Sequence, residues 1–175
     1  MPDRLYTQRE VASIFRDVPN KTLIYWARQS LVEWAAETRD ARGIARLYNR
    51  WNLFQLGLVR ELAGLGISTK NIRRQMWGFK DFPPGGRYTY DNEGNEVPRP
   101  PASESFYSES GSRYMVIIKE VKDRDWQEPI VAAVGTLKMV KKGFGKLMSL
   151  HTTVTINLSV IDGYVGFLMK EADLS

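Results

Sequence analysis

An α+β fold in two parts is what this 175-residue sequence predicts, and three observations predict it. Capping residues followed by helical spacing recur over residues 1–77. Pro and Gly crowd residues 78–112. A β-rich run and a cleanly alternating segment then occupy residues 113–175. The expectation is a helical N-terminal unit, a connection, and a small β-α-β-β domain.

The first helix is announced by Thr7-x-x-Glu10, a capping box in which each side chain reaches the other residue's amide. Tyr6 and Val11 fit the hydrophobic staple around it, and Val11, Ile14 and Phe15 carry the apolar side to about Arg16. "DVPN" is a turn, and Asn20 can cap a second helix running to about Leu31. "VEWAAETRDARGIARLY" has turn chemistry at its middle and reads as two extended arms around a loop. Asn49 can cap a third helix, with Leu53, Leu56, Val59, Leu62 and Ala63 on one side. Gly64 and Gly66 close it, and Ser68 can cap a fourth helix to about Trp77.

Residues 78–112 hold five Pro and five Gly without any sustained period. Beyond them, Arg113–Val121 is a β-rich run. Ile130, Val134, Leu137, Val140, Phe144 and Leu147 recur at steps of three and four, which predicts an amphipathic helix. Val154, Ile156, Leu158 and Val160 alternate with polar residues, and Asp162-Gly163 supplies a hairpin turn into a last strand, "YVGFLMK".

Charge divides along the same line. Residues 1–77 carry 13 Lys and Arg against 7 Asp and Glu, whereas residues 78–175 carry 12 against 13. The whole excess sits in the helical unit, where it favours a phosphate-bearing partner. There is no cysteine, which removes disulfides, thiolate metal sites and cysteine nucleophiles together. No apolar run reaches the length of a signal peptide or membrane span, so the expected location is cytoplasmic and nucleoid-associated.

The second helix has two unlike faces. At 100° per residue, Leu23, Ala27 and Leu31 share one side, with Ile24 at its margin. Lys21, Thr22, Tyr25, Arg28 and Gln29 span the other, and Trp26 lies between. Cations mixed with planar hydrogen-bonding groups and a hydroxyl suit phosphates and base edges in a major groove. A capped helix, a short turn and this second helix make a helix-turn-helix with its second helix outward.

These segments resemble the DNA-binding domain of MerR-type transcriptional regulators over about residues 5–77. "VPNKTLIYWARQSL" retains Val18, Thr22, Leu23, Tyr25 and Leu31 of the family's recognition-helix pattern, with Trp26 at its second aromatic. "GIARLY" retains Gly43, Arg46 and Tyr48 of the wing, with one extra residue in the spacing. "NLFQLGLVRELAGLGISTKNIRRQM" follows the leucine pattern beyond it. The resemblance implies a winged helix-turn-helix that binds double-stranded DNA, with Thr22 and Tyr25 on the recognition helix and Arg46 and Tyr48 at the wing's end. Lys21, Arg28 and Gln29 on the helix join them, and Arg9, Arg39 and Arg42 are added from charge and position. Three family residues are replaced: an Arg by Ile24, a Glu by Ala27 and a Gly by Ser30. The long dimerisation helix expected next is interrupted by "MWGFKDFPPGG".

Little else reads as chemistry. His151, the one histidine, is taken as a packed or capping residue, and no cofactor, metal or catalytic set is expected. Lys138, Lys142 and Lys146 form a stripe, with Lys141 adjacent, read as a solvated face. The C-terminal domain is expected to dimerise the protein. Its alternatives are a small apolar ligand among Tyr114, Trp126, Phe144, Tyr164 and Phe167, or another protein. The expected whole is a non-enzymatic transcriptional regulator with DNA, a second copy and RNA polymerase as partners. An architectural DNA-binding factor of excisionase, nucleoid or segregation type is the nearest rival, and a protein-interaction adaptor the third.

Overall fold

The computed structural model describes residues 4–40, 43–76, 88–90, 96–98, 113–121, 130–136 and 151–173. The chain enters through a two-residue strand, β1 (Tyr6–Thr7), which leads directly into α1 (Gln8–Ile14). The capping box is formed as expected. Glu10 donates its amide to the Thr7 hydroxyl at 3.3 Å, and its carboxylate accepts from the Thr7 amide at 2.8 Å. The Thr7 amide, and after it the Thr7 hydroxyl donating at 2.9 Å, hold the Glu10 carboxyl below the usual carboxylate range.

Helix α2 covers Asn20–Arg28, three residues shorter than expected. Its N-cap is Pro19, with no side-chain cap, and Asn20 is instead its first helical residue. The helix stops in a Schellman motif: Ser30 donates to Ala27 O, and Leu31 donates to Trp26 O. Strands β2 (Ala36–Asp40) and β3 (Gly43–Tyr48) form the expected hairpin, and β1 adds to the far side of β3, Tyr6 opposite Tyr48.

Helix α3 (Arg50–Gly64) is the centre of the molecule, and every residue from Trp51 to Val59 is buried. An amphipathic helix would bury one stripe. Burial all round means that neighbours cover every side. Asn49 and Asn52 cap its start reciprocally, and Gly66 (φ +78°) ends it in a second Schellman motif with Ile67 donating to Leu62 O. Helix α4 (Thr69–Met76) follows, with the Asn71 amide donating to the Ser68 hydroxyl.

The connection contains a short hairpin, β4 (Tyr88–Tyr90) with β5 (Glu96–Pro98). The last part differs from expectation in two places. Ile130–Thr136 is a strand, β7, where a helix was expected, and it pairs antiparallel with β6 (Arg113–Val121). Its β-branched residues also fit period two, and a short apolar run does not distinguish the periods. The rest of the expected helix, with Lys138 to Lys146, lies outside the described residues. Strand β8 (His151–Asn157) pairs with the other edge of β6, giving the order β7-β6-β8.

The second correction is larger. Leu158–Asp173 is one helix, α5, where a strand, an Asp162-Gly163 hairpin and a further strand were expected. Asn157 starts it, its side-chain oxygen accepting from the Ser159 amide at 3.0 Å. Leu158, Ile161 and Val165 recur at helical spacing and are buried with the core of α1 and α3. Burial of that stripe overrides the local turn preference of Asp-Gly. Gly57 makes the crossing of α3 and α5 close: a Cβ there would lie 3.0 Å from methyl groups of both Ile161 and Val165. Arg50 closes one end of the crossing by donating to both carboxylate oxygens of Asp162, each at 3.1 Å.

Candidate nucleic-acid interface

Helix α2 divides as its sequence predicts, with one adjustment. Leu23 and Ala27 are buried together with Trp26, so the indole belongs wholly to the core. Lys21, Tyr25 and Arg28 are exposed at i, i+4 and i+7, a single stripe along the outer side. Tyr25 keeps 46% of its surface open although it is a large aromatic. Thr22 and Gln29 flank the stripe, partly covered.

A chain of hydrogen bonds sets this helix against its neighbours. The Tyr48 hydroxyl, at the end of the wing, donates to Gln8 Oε1 at 2.8 Å. Gln8 Nε2 donates in turn to Asn20 Oδ1 at 2.9 Å. The wing's base, the start of α1 and the start of α2 are thereby tied together, which fixes where the α2 stripe points relative to the wing. Arg9 and Lys21 each follow a member of that chain, so both cations stand at the same end of the pair of helices. Arg9 is exposed.

Tyr48 corrects an expectation. It is 1% exposed, and burial raises its hydroxyl pKa despite the Arg46 charge nearby. It supports the wing from within and does not offer its ring to a ligand. Arg46 sits closer to the surface, its guanidinium 4.4 Å from the centre of the Trp34 ring and its Nε 4.0 Å from Glu37. Its side chain is 29% exposed. Arg39 belongs to β2, opposite Ile44 of β3, and Arg42 lies outside the described residues.

Gln29 is held as well. Arg73 of α4 donates from Nε to its carbonyl oxygen at 2.9 Å and from a terminal nitrogen to its side-chain oxygen. The side-chain amide nitrogen of Gln29 remains as a donor. Ser30, next along, adopts φ +54°, a left-handed conformation that a glycine takes without strain. The family residue replaced by Ser30 is a glycine, so the substitution noted in the sequence carries a conformational cost.

Charges in this region are sorted. Glu10 pairs with Arg4, Glu37 with Arg46, and Asp17 and Glu61 both with Arg60. Arg9, Lys21 and Arg28 have no ion-pair partner among the described residues. Each of these acids thus has a cationic partner, while cations stand open on α1 and α2. Polyanions are attracted to such a surface. Sequence reasoning missed Gln8 and Arg73, which position the interface, and the exposed Lys70 and Arg74 of α4. Reading each helix separately hides contacts between helices, and no local pattern signals them.

No group of three or more His, Asp or Glu able to hold a metal occurs among the described residues, and none of their helices is long and apolar enough to cross a membrane. No curated protein matches the chain significantly. The sequence model of the MerR HTH family regulatory proteins does match it, over residues 6–77. That span runs from β1 to the end of α4 and contains the whole candidate interface. Residues 6–77 thus match the MerR-type helix-turn-helix domain segment.

Proposed function

We propose that the protein is a sequence-specific DNA-binding transcriptional regulator that works inside the cell as a homodimer. In this reading α2 lies in the major groove, and Tyr25, Arg28, Thr22 and the free amide of Gln29 read base edges. Lys21 and Arg9 grip phosphates beside it, and the wing residues Arg39, Arg42 and Arg46 do so one groove away. The observation that carries the reading is the unpaired stripe of Lys21, Tyr25 and Arg28 within a MerR-type segment. Tyr48 is left out, because it is buried.

Residues 1–77 form the recognition part, 78–112 the connection, and 113–175 the part that joins two copies. Two copies related by a two-fold axis would read two half-sites about one helical turn apart, or a multiple of it. RNA polymerase is the proposed further partner on the promoter. Selection from random or genomic duplexes tests the reading. It should return one palindromic sequence, and a pool without any enriched sequence would count against specific regulation.

A further inference from the structure

Helix α5 has two apolar stripes. One, with Leu158, Ile161 and Val165, is consumed by the core. The other is open. Val160 is 63% exposed, Tyr164 40% and Phe167 55%, and these are three of the five exposed large hydrophobic residues among those described. Scattered exposed apolar residues are ordinary, but three on successive turns of one helix form a patch.

Gly163 lies within the open stripe. Val160, Gly163 and Phe167 follow the i, i+3, i+7 spacing of a helix seam. A Cβ built on Gly163 would meet nothing within 4 Å, so the notch it leaves opens outward. The stripe thus has a large knob at Phe167 and a hole one turn before it. An antiparallel second α5, centred near Val165, would bring Phe167 of each copy over Gly163 of the other. It would also lay the stem of Lys170 along Val160 of the other copy. The surface is complementary to itself, as a two-fold interface requires.

Charge favours the same occupant. The open side of α5 carries Lys170 and Glu171, and Arg60, 5.4 Å from the centre of the Tyr164 ring, is paired with Asp17 and Glu61. The charges nearly cancel and leave little field to draw a strongly basic or acidic partner. Two copies of it do not repel, whereas the helix-turn-helix part, with its excess of cations, would. Antiparallel packing also sets the C-terminal end of each helix beside the N-terminal end of the other, which aligns the two helix dipoles favourably.

We infer that the open face of α5 is a homodimer interface in which Phe167 of each copy packs into the notch at Gly163 of the other. This rests on the homodimeric part of the proposed function and names its surface.

Analytical ultracentrifugation of the full chain, with no DNA present, tests it. The unmodified protein should sediment as a dimer at micromolar concentration. Phe167→Glu should make it a monomer, with unchanged circular dichroism because the ring is exposed in the single chain. Gly163→Leu is the sharper variant, since it fills the notch at a position where a Cβ meets nothing within 4 Å. It should raise the melting temperature measured at concentrations where the chain is monomeric, because Gly is the poorer helix former. It should nevertheless weaken dimerisation at least tenfold. A dimer that survives both substitutions overturns the interface while leaving homodimerisation intact, and an unmodified chain that stays monomeric overturns both. Neither outcome touches DNA binding, which anisotropy with a half-site duplex reads separately.

Discussion

Two helices of this protein leave a face uncovered, and the faces are opposite in kind. On α2 the open stripe is Lys21, Tyr25 and Arg28, and on α5 it is Val160, Gly163, Tyr164 and Phe167. Water solvates the first well. It gains by exchanging counterions for phosphates, so its interactions fade as salt rises. Water solvates the second poorly, so its association resists salt. The difference teaches that recognition and assembly in this chain can be separated by ionic strength alone.

The largest expected effect falls on α2. Replacing both Tyr25 and Arg28 by Ala should weaken binding to a selected duplex by roughly 1–3 kcal/mol for each residue. Competition binding measures it. Dimerisation of the same variant should be unchanged, and a loss of both would erase the distinction between the two faces.

Next comes the crossing that carries α5. Gly57→Leu should lower stability by about 1–3 kcal/mol in denaturant titration, because its side chain must displace Ile161 and Val165. Tyr48→Phe follows, at about 1 kcal/mol, by removing the hydrogen bond from the wing to Gln8. The wing's orientation depends on that bond, so DNA affinity should fall with it, whereas dimerisation should not.

Ser30→Gly should act in the other direction. It relieves the left-handed strain at the end of α2 and should stabilise the fold by about 0.5–1 kcal/mol in the same titration. The smallest effect is that of pH. The Glu10 carboxyl is held below its ordinary value, so its contribution is present above about pH 4.3 and is lost as pH falls through the lowered value. A Glu10→Gln variant should therefore show a shallower loss of stability between neutral and acid pH.

Caps and periodicity made the first 76 residues legible. Thr7 with Glu10, Asn49 with Asn52, and the turn at Gly66 each act over a few neighbouring residues in the chain, so local sequence contains the whole interaction. The exposed stripe of α2 was legible for the same reason. Tyr48 was misread because its partner, Gln8, is 40 residues away. The end of the chain was misread more deeply. "INLSVIDGYVGF" satisfies an alternating pattern and a turn signal as well as a helical pattern. What decides between them is the groove on α3 at Gly57, a hundred residues earlier. Arg60 pairs with Asp17 across 43 residues, and Arg46 with Glu37 across the hairpin. Ion pairs across elements leave no mark in a local reading.

The central claim is that the cationic stripe of α2 binds nucleic acid. Fluorescence anisotropy of a labelled duplex with the full chain, repeated across a salt series, tests it most directly. The logarithm of the association constant should fall linearly with the logarithm of salt concentration. Lys21→Ala should reduce that slope by about 0.9, the share of one phosphate. Affinity that does not change with salt, or a slope that Lys21→Ala leaves intact, would contradict the account.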